Sequence, residues 1–362
     1  MKRVMALGLI AFLLAGASLF GAGQGEQVEI AMVTDAGDID DESFNQGTWE
    51  GIVEYSEREG YAHRYFRPAE ISDSAYIDAI DLAVQGGAQI VVTPGFLFEA
   101  AIYESQQNHP DVNFVLIDGE PRDPDGDAVV ADNTVAIYYA EEESGFLAGY
   151  AAVKDGFREL GYMGGIAVPA VVRFGVGYIA GAHYAAAEIG EEIVFPDNRY
   201  DYLGNFDPSD AHNAQAASWY ADGTEVIFAA AGGAGSSVMA AAEDQDAWMI
   251  GVDVDQSEQS DRVLTSAMKD LGQTAQNILA DFHAGNFPGG QTLTLTASED
   301  GVALPMETSR FRGDFTESDY DEIFDRIAGG ELEVPESYGE LMDFIDAHGL
   351  QEVEIQESTV QP

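Results

Sequence analysis

Apolar positions along this chain follow two periods that alternate with one another. Val28, Ile30 and Met32 alternate with Glu29 and Ala31, the two-residue period of a strand. At Thr34 the pattern breaks into a loop with Gly37 and the acids Asp35, Asp38, Asp40 and Asp41. A helix follows, with Trp49, Ile52 and Val53 on one face. Ser43 is its expected N-cap, and Gln46 stands at the capping-box position. The spacing then predicts a strand over 61–66 and a helix from Ser72 that ends at Gly86-Gly87. A strand over 90–93, a helix over 97–107 and strands over 112–117 and 129–135 follow, with Asp118 ending the first of these two.

The same alternation returns in the second half. Helices are predicted over 144–153, 176–189, 211–220 and 238–243, between strands over 160–166, within 193–203, and over 226–230 and 248–252. Asp253 ends the last strand as Asp118 ends its counterpart. A short strand over 263–267, a helix over 271–284, a Thr-alternating stretch near 293–297 and helices over 315–327 and 338–347 complete the pattern. Residues 348–362 read as an acidic tail. Strands alternating with helices specify an α/β protein with parallel sheets and right-handed crossovers. A length of 362 residues suits two such units.

Charge changes the picture of the surface. The chain carries 65 acids against 15 bases, a net charge of -50, which excludes a nucleic-acid partner because that needs a basic face. Glu57, Glu59, Glu141, Glu142, Glu143, Glu191 and Glu192 fall mostly on faces expected to be exposed. Such a surface suits very salty water, where self-repulsion is screened. There is no Cys, so disulfides, thiolate metal sites and cysteine nucleophiles are excluded. At the N-terminus Lys2 and Arg3 precede an apolar run over 4–20 and the small residues Gly21, Ala22 and Gly23. This is the layout of a signal peptide over 1–23, with an uncleaved N-terminal anchor as the alternative.

Candidate chemistry gathers where strands end. In open α/β sheets, ligands bind in the crevice at the carboxyl ends of the strands. Asp35, Asp118 and Asp253 each follow a predicted strand, so all are placed to reach one crevice, although an Asp there also commonly caps the next helix. Phe44 and Asn45 stand beside Asp35, and a ring, an amide and a carboxylate suit an aromatic ligand that donates hydrogen bonds. The Gly-rich run over 229–235 leads from strand to helix and predicts close backbone approach to a ligand, without the Gly-Lys-Ser/Thr ending of a phosphate loop. Lys269 follows a strand in a chain where bases are scarce. No His pair has metal spacing and Gly-x-Ser-x-Gly is absent, so neither a metal site nor a catalytic triad is expected.

These segments also resemble a known family. VTDAGDIDDESFNQGTWEG, VTPGF, FVLID, ESGFLAGYAA, FAAAGGAG, GVDVDQ with LTSAMK, and IAGGELEVP occur in the order found in the basic membrane protein family. These are substrate-binding proteins of ABC importers, with a purine nucleoside receptor branch, and the likeness runs from about Ile30 to Pro335. It implies a type I periplasmic-binding-protein-like fold of two Rossmann-like lobes joined by a hinge. The N-terminal lobe would be 27–137 joined by about 258–308, and the C-terminal lobe 138–257 joined by about 309–347. The resemblance implies a purine nucleoside ligand (guanosine, inosine or adenosine), an ABC transporter permease as partner, no cofactor and no catalysis. Asp35 would contact the base, Phe44 would stack on it and Asn45 would lie adjacent. Asp118, Asp253 and Lys269 would hold ribose hydroxyls, and Gly233 would bring backbone close to the sugar. A second ring is expected from the other lobe, with Phe228 preferred and Phe206 or Phe174 as alternatives. Many such receptors are lipid-anchored through a Cys after the signal sequence, and here Gly23 stands where it is expected. The protein is therefore expected outside the cytoplasm without that thioether.

Two other classes compete. TDAGDIDD resembles the DxDPGxDD calcium loop of nucleoside hydrolases, in which clustered acids hold Ca²⁺ to activate water. The match is broken by Val33 at the first Asp, Ala36 at the Pro and an extra residue after Gly37. A binding protein for another small ligand such as a sugar would use the same fold. Phe44 and Asn45 fit a plain sugar less well.

Overall fold

Buried residues dominate the first strand, β1 (Ile30–Val33), and this sets the architecture: a strand buried on both faces lies inside a parallel sheet. The computed structural model describes residues 28–362 apart from Asp314, so the expected signal segment lies outside the described residues. β1 is followed by α1 (Phe44–Glu59), β2 (His63–Phe66), α2 (Asp73–Gln85), β3 (Ile90–Pro94), α3 (Glu99–Asn108), β4 (Asn113–Ile117) and β5 (Thr134–Tyr139). The second run is α4 (Glu141–Lys154), β6 (Leu160–Gly164), α5 (Pro169–Ile189), β7 (Tyr200–Tyr202), α6 (Asp210–Ala221), β8 (Val226–Ala230), α7 (Gly235–Gln245), β9 (Trp248–Asp253) and β10 (Val263–Lys269). The chain closes with α8 (Leu271–Ala284), β11 (Gln291–Leu295), β12 (Val302–Ala303), α9 (Glu317–Ala328), α10 (Tyr338–His348) and α11 (Glu357–Val360).

Among the described residues these strands form two six-stranded sheets, β11-β5-β4-β3-β1-β2 and β12-β10-β9-β8-β6-β7. The first is parallel throughout; in the second only the β10–β12 pair is antiparallel. The two orders correspond strand for strand, so each lobe is the same doubly wound unit.

The division of the chain differs from expectation where it leaves the second lobe, where it returns to it, and at its end. Residues from 258 were expected to rejoin the first lobe, but β10 pairs with β9 and stays in the second sheet. The return begins at Asp270, after which α8 packs on α1 and β11 extends the first sheet beside β5. β12 then pairs with β10, so the chain is back in the second lobe at 302–303 and not at the expected 309. The three crossings lie side by side: Ala140 N–H donates to Leu295 O at 3.1 Å, and Asp270 N–H to Gly301 O at 2.9 Å. Residues 348–362 are likewise not a free tail. Ile355 and Val360 are buried, and Tyr202 Oη donates to Val360 O at 2.7 Å, which docks the end of the chain on β7.

Helices α4 and α5 approach through glycine. A Cβ on Gly177 would sit 1.9 Å from Glu142 O, and one on Gly145 would sit 2.2 Å from Phe174 O. Backbone contact this close leaves no room for a side chain, so any residue larger than Gly would push the helices apart. This packing fixes Phe174 and the first turn of α4 relative to each other, and both reach the site described next.

Candidate functional site

A cavity lies between the lobes at the carboxyl ends of both sheets, with about 850 Å³ of space free of protein atoms including its open mouth. Asp35, Phe44, Asn45, Asp118, Gly233, Asp253 and Lys269 all line it. Seven of the eight residues singled out from the sequence are thus brought together. Phe228 is not among them.

The loop after β1 is built around Asp41. Its carboxylate accepts from the backbone N–H of Ser43, Asn45 and Gln46, each at 3.0 Å, and caps α1. Ser43 was the expected cap but makes no capping bond. Its Oγ instead donates across the cleft to Asp253 Oδ2 at 2.5 Å. Gln256 adds a second bond across the cleft, from Nε2 to Glu42 O at 2.9 Å. Asn45 Nδ2 donates to Asp35 Oδ1 and Asp41 Oδ2, both at 2.9 Å, so the amide is held rigidly beside Asp35. Asp35 also accepts from Gly37 N–H at 3.0 Å. Gly95 closes over it: with φ at 127°, a Cβ there would lie 2.5 Å from Asp35 Oδ2. Burial pushes the Asp35 carboxyl up to about 6, against the pull of the Gly37 and Asn45 bonds.

Opposite the loop is a buried charge cluster. Lys269 Nζ stands 2.5 Å from Asp118 Oδ2, 2.9 Å from Glu141 Oε1 and 3.8 Å from Asp253 Oδ1. It also lies 4.9 Å from the Phe44 ring centroid and 5.3 Å from that of Phe174. Burial opposes its charge, but the surrounding carboxylates outweigh burial and hold the ammonium protonated well above the usual lysine range. Burial raises both Asp118 and Asp253, with Lys269 opposing it. For Glu141 burial is outweighed by Lys269 and Arg173, so its carboxyl is held below the ordinary range. Asp118 and Asp253 both adopt left-handed backbone, with φ of 60° and 65°.

Phe228 was the preferred second ring, and the structure corrects this. It is fully buried within β8, packed edge-on against Tyr162, Phe174 and Tyr178, and its ring faces the core of the second lobe. Phe206 and Phe174, the two alternatives, do line the cavity. Phe174 is nearly enclosed, whereas Phe206 is half-buried on the side of the Gly-rich run. A Cβ on Gly233 would stand 3.2 Å from Phe206 O, so the glycine is where backbone comes close to that segment.

Glu141 and Arg173 were missed altogether. The run Glu141–Glu143 reads as an exposed helix start, yet Glu141 is completely buried and Glu142 nearly so. Arg173 Nε donates to Glu141 Oε2 at 2.7 Å, with Nη2 at 2.6 Å from the same oxygen. A signal for this was present. Arg173 is the one charged residue in the apolar stretch 169–182 of α5, and a base buried there requires an acid to meet it.

Comparison with known proteins agrees with the fold and the motifs. The family model described as "ABC transporter substrate-binding protein PnrA-like" matches residues 28–337. An "ABC transporter nucleoside-binding protein BmpA" of Lactococcus lactis is 31% identical over 85% of this chain and 92% of its own length. "Basic membrane protein D" of Borreliella burgdorferi is 27% identical over 92% of this chain and 95% of its own. Among solved structures, an ABC transporter solute-binding protein from Aeropyrum pernix superposes with a TM-score of 0.73 at 20% identity. The match covers 89% of this chain and 97% of the other, a likeness of fold. With the model spanning nearly all of the described residues, the chain belongs to the basic membrane protein family, the PnrA-like substrate-binding proteins of ABC transporters.

Proposed function

We propose that this chain captures a purine nucleoside in the interlobe cavity, outside the cytoplasm, and presents it to the permease of an ABC importer. One observation carries the reading. A single space is walled by an aromatic ring, a carboxylate–amide pair, and a cluster of two carboxylates about an ammonium. Phe44 would stack on the base, with Phe206 as the facing ring, and Asp35 beside Asn45 would meet the base edge. Asp118, Asp253 and Lys269 would hold the ribose hydroxyls, since carboxylates accepting from hydroxyls make charge-assisted bonds about twice as strong as neutral ones. The nucleoside-binding name of the Lactococcus relative supports the ligand class.

The hydrolase reading is disfavoured by where the loop acids are committed. Asp41 caps α1, Asp38 pairs with Arg67, and Asp35 is tied to Gly37 and Asn45. Guanosine, inosine and adenosine are each expected to bind and be recovered unchanged after incubation with the protein and Ca²⁺. Chromatographic detection of free base, released in proportion to protein concentration, would overturn the receptor reading.

A further inference from the structure

We infer that Glu141, clamped by Arg173, is a positioning residue that aims the Lys269 ammonium at the sugar. The inference rests on the assignment of Asp118, Asp253 and Lys269 to the ribose. Glu141 does not line the cavity and would touch no ligand. Its effect would be exerted through the lysine.

An ammonium has three N–H donors and no acceptor. Asp118 Oδ2 accepts one of them at 2.5 Å, and Glu141 Oε1, a buried oxygen with no hydrogen-bond partner of its own, holds the ammonium from 2.9 Å as an ion pair. Asp253 Oδ1, at 3.8 Å, is beyond hydrogen-bond reach. With one proton on Asp118 and the ammonium drawn toward Glu141, a proton is left for the gap between Lys269 and Asp253. Asp253 Oδ2 is already occupied by the Ser43 hydroxyl, which leaves Oδ1 as the acceptor on that side. A ligand hydroxyl entering the gap would accept from Lys269 and donate to Asp253 at once.

Glu141 is suited to hold this geometry because it is itself held. Both Arg173 nitrogens close on Oε2, leaving Oε1 for the lysine. The glycine-mediated contact of α4 with α5 fixes the separation of the two residues. Lysine has a flexible four-carbon stem and freely rotating donors, and with Asp118 as its sole anchor the ammonium would be free to turn. Arg173 also offsets the charge of Glu141. Without it Glu141 would lose one of the two cations that keep its buried carboxyl ionised beside Lys269.

The test is calorimetric titration of the full chain with guanosine, 2′,3′-dideoxyguanosine and guanine. Wild type binding guanosine no tighter than the dideoxy compound would overturn the ribose assignment itself, before Glu141 is considered. Given tighter guanosine binding, Glu141→Gln keeps the side-chain volume and removes the charge that holds the ammonium. Its Kd for guanosine should rise about tenfold, the scale of one charge-assisted hydrogen bond. The dideoxy compound and guanine should change by less than about twofold, since they offer no hydroxyl pair. Equal weakening of all three ligands would mean a structural role, and no weakening of any would mean no role; either overturns the inference. If the single variant is too unstable to titrate because Arg173 is left unpaired, Glu141→Gln with Arg173→Met removes both buried charges, and the same three-ligand comparison applies.

Discussion

Asp118 and Asp253 are mirror residues of the two lobes. Each stands at the carboxyl end of the corresponding strand, Asp118 just after β4 and Asp253 as the last residue of β9. They adopt left-handed backbone at φ 60° and 65°, and their carboxylates flank one ammonium at 2.5 and 3.8 Å. Left-handed backbone costs a non-glycine residue about 1 kcal/mol or more, and Asp and Asn bear it best. The conformation turns both side chains back over the strand ends toward the cleft. Asn tolerates the same backbone, so Asp253→Asn changes charge without changing the turn. It should weaken a nucleoside by about 1–3 kcal/mol and leave a free base nearly unaffected. Titration of the variant with guanosine and guanine checks this. Equal losses for the two would place Asp253 on the base and reverse the proposed ligand orientation.

The two phenylalanines of the second lobe should separate binding from folding. Phe206 lines the cavity half-buried, so Phe206→Ala should weaken every purine by about 1–3 kcal/mol, the scale of a lost base stack, with little change in melting temperature. Phe228 is enclosed by Tyr162, Phe174 and Tyr178, so Phe228→Ala should cost about 3–5 kcal/mol of stability. Thermal melts beside titrations read both quantities. A Phe206 variant with undiminished affinity would leave Phe174 as the facing ring.

Period and turn chemistry made the lobes legible, because a buried parallel strand and the Gly or Asp that ends it leave local marks. Asp35, Phe44, Asn45, Asp118 and Asp253 were visible as residues near strand ends, where the fold puts its crevice, whereas Gly233 and Lys269 were singled out by the family resemblance. What stayed hidden depends on distant partners. Ser43 has the spacing of a cap, but Asp41 fills that role and frees the hydroxyl for a carboxylate 210 residues away. Glu141 looks solvated until Arg173 is brought against it from another helix. Phe228 and Phe206 cannot be ranked without knowing which face of β8 meets the cavity. The tail was misread because its apolar residues, Leu350, Val353, Ile355 and Val360, are too few among acids to mark an element, and Val353, Ile355 and Val360 are buried only by docking.

Salt should stabilise this protein. The excess of acids far exceeds what its bases can pair, so most of the net charge of -50 is mutual repulsion across the surface. The Debye length falls from about 10 Å at 0.1 M to about 3 Å at 1 M salt. Melting temperature should therefore climb over that range in a non-binding salt such as tetramethylammonium chloride, and climb similarly in KCl. A flat response would show that the acids are already compensated. A rise confined to K⁺ would point to bound cations instead of screening.

With Asp35 at the base edge as proposed, the site should show a pH-dependent preference among purines. Its carboxyl is raised from 3.8 to about 6 by burial. The native state therefore binds more protons than the unfolded chain between those values, and the stability linked to Asp35 falls as pH rises through that window and levels off above it. The same titration changes what the side chain offers a base. Ionised, it accepts from the N1–H of guanosine or inosine; protonated, it donates to the bare N1 of adenosine. The ratio of guanosine to adenosine affinity should then decline as pH is lowered from about 8 to about 5, in the window set by the raised carboxyl. Asp118 is also raised, but in the proposed pose it meets the ribose, which both nucleosides share, so its protonation cancels in the ratio. Asp35→Asn, which can donate and accept at any pH, should give a ratio independent of pH. Titrations of both proteins across that range decide the matter. Parallel curves for wild type and variant would remove Asp35 from the base edge.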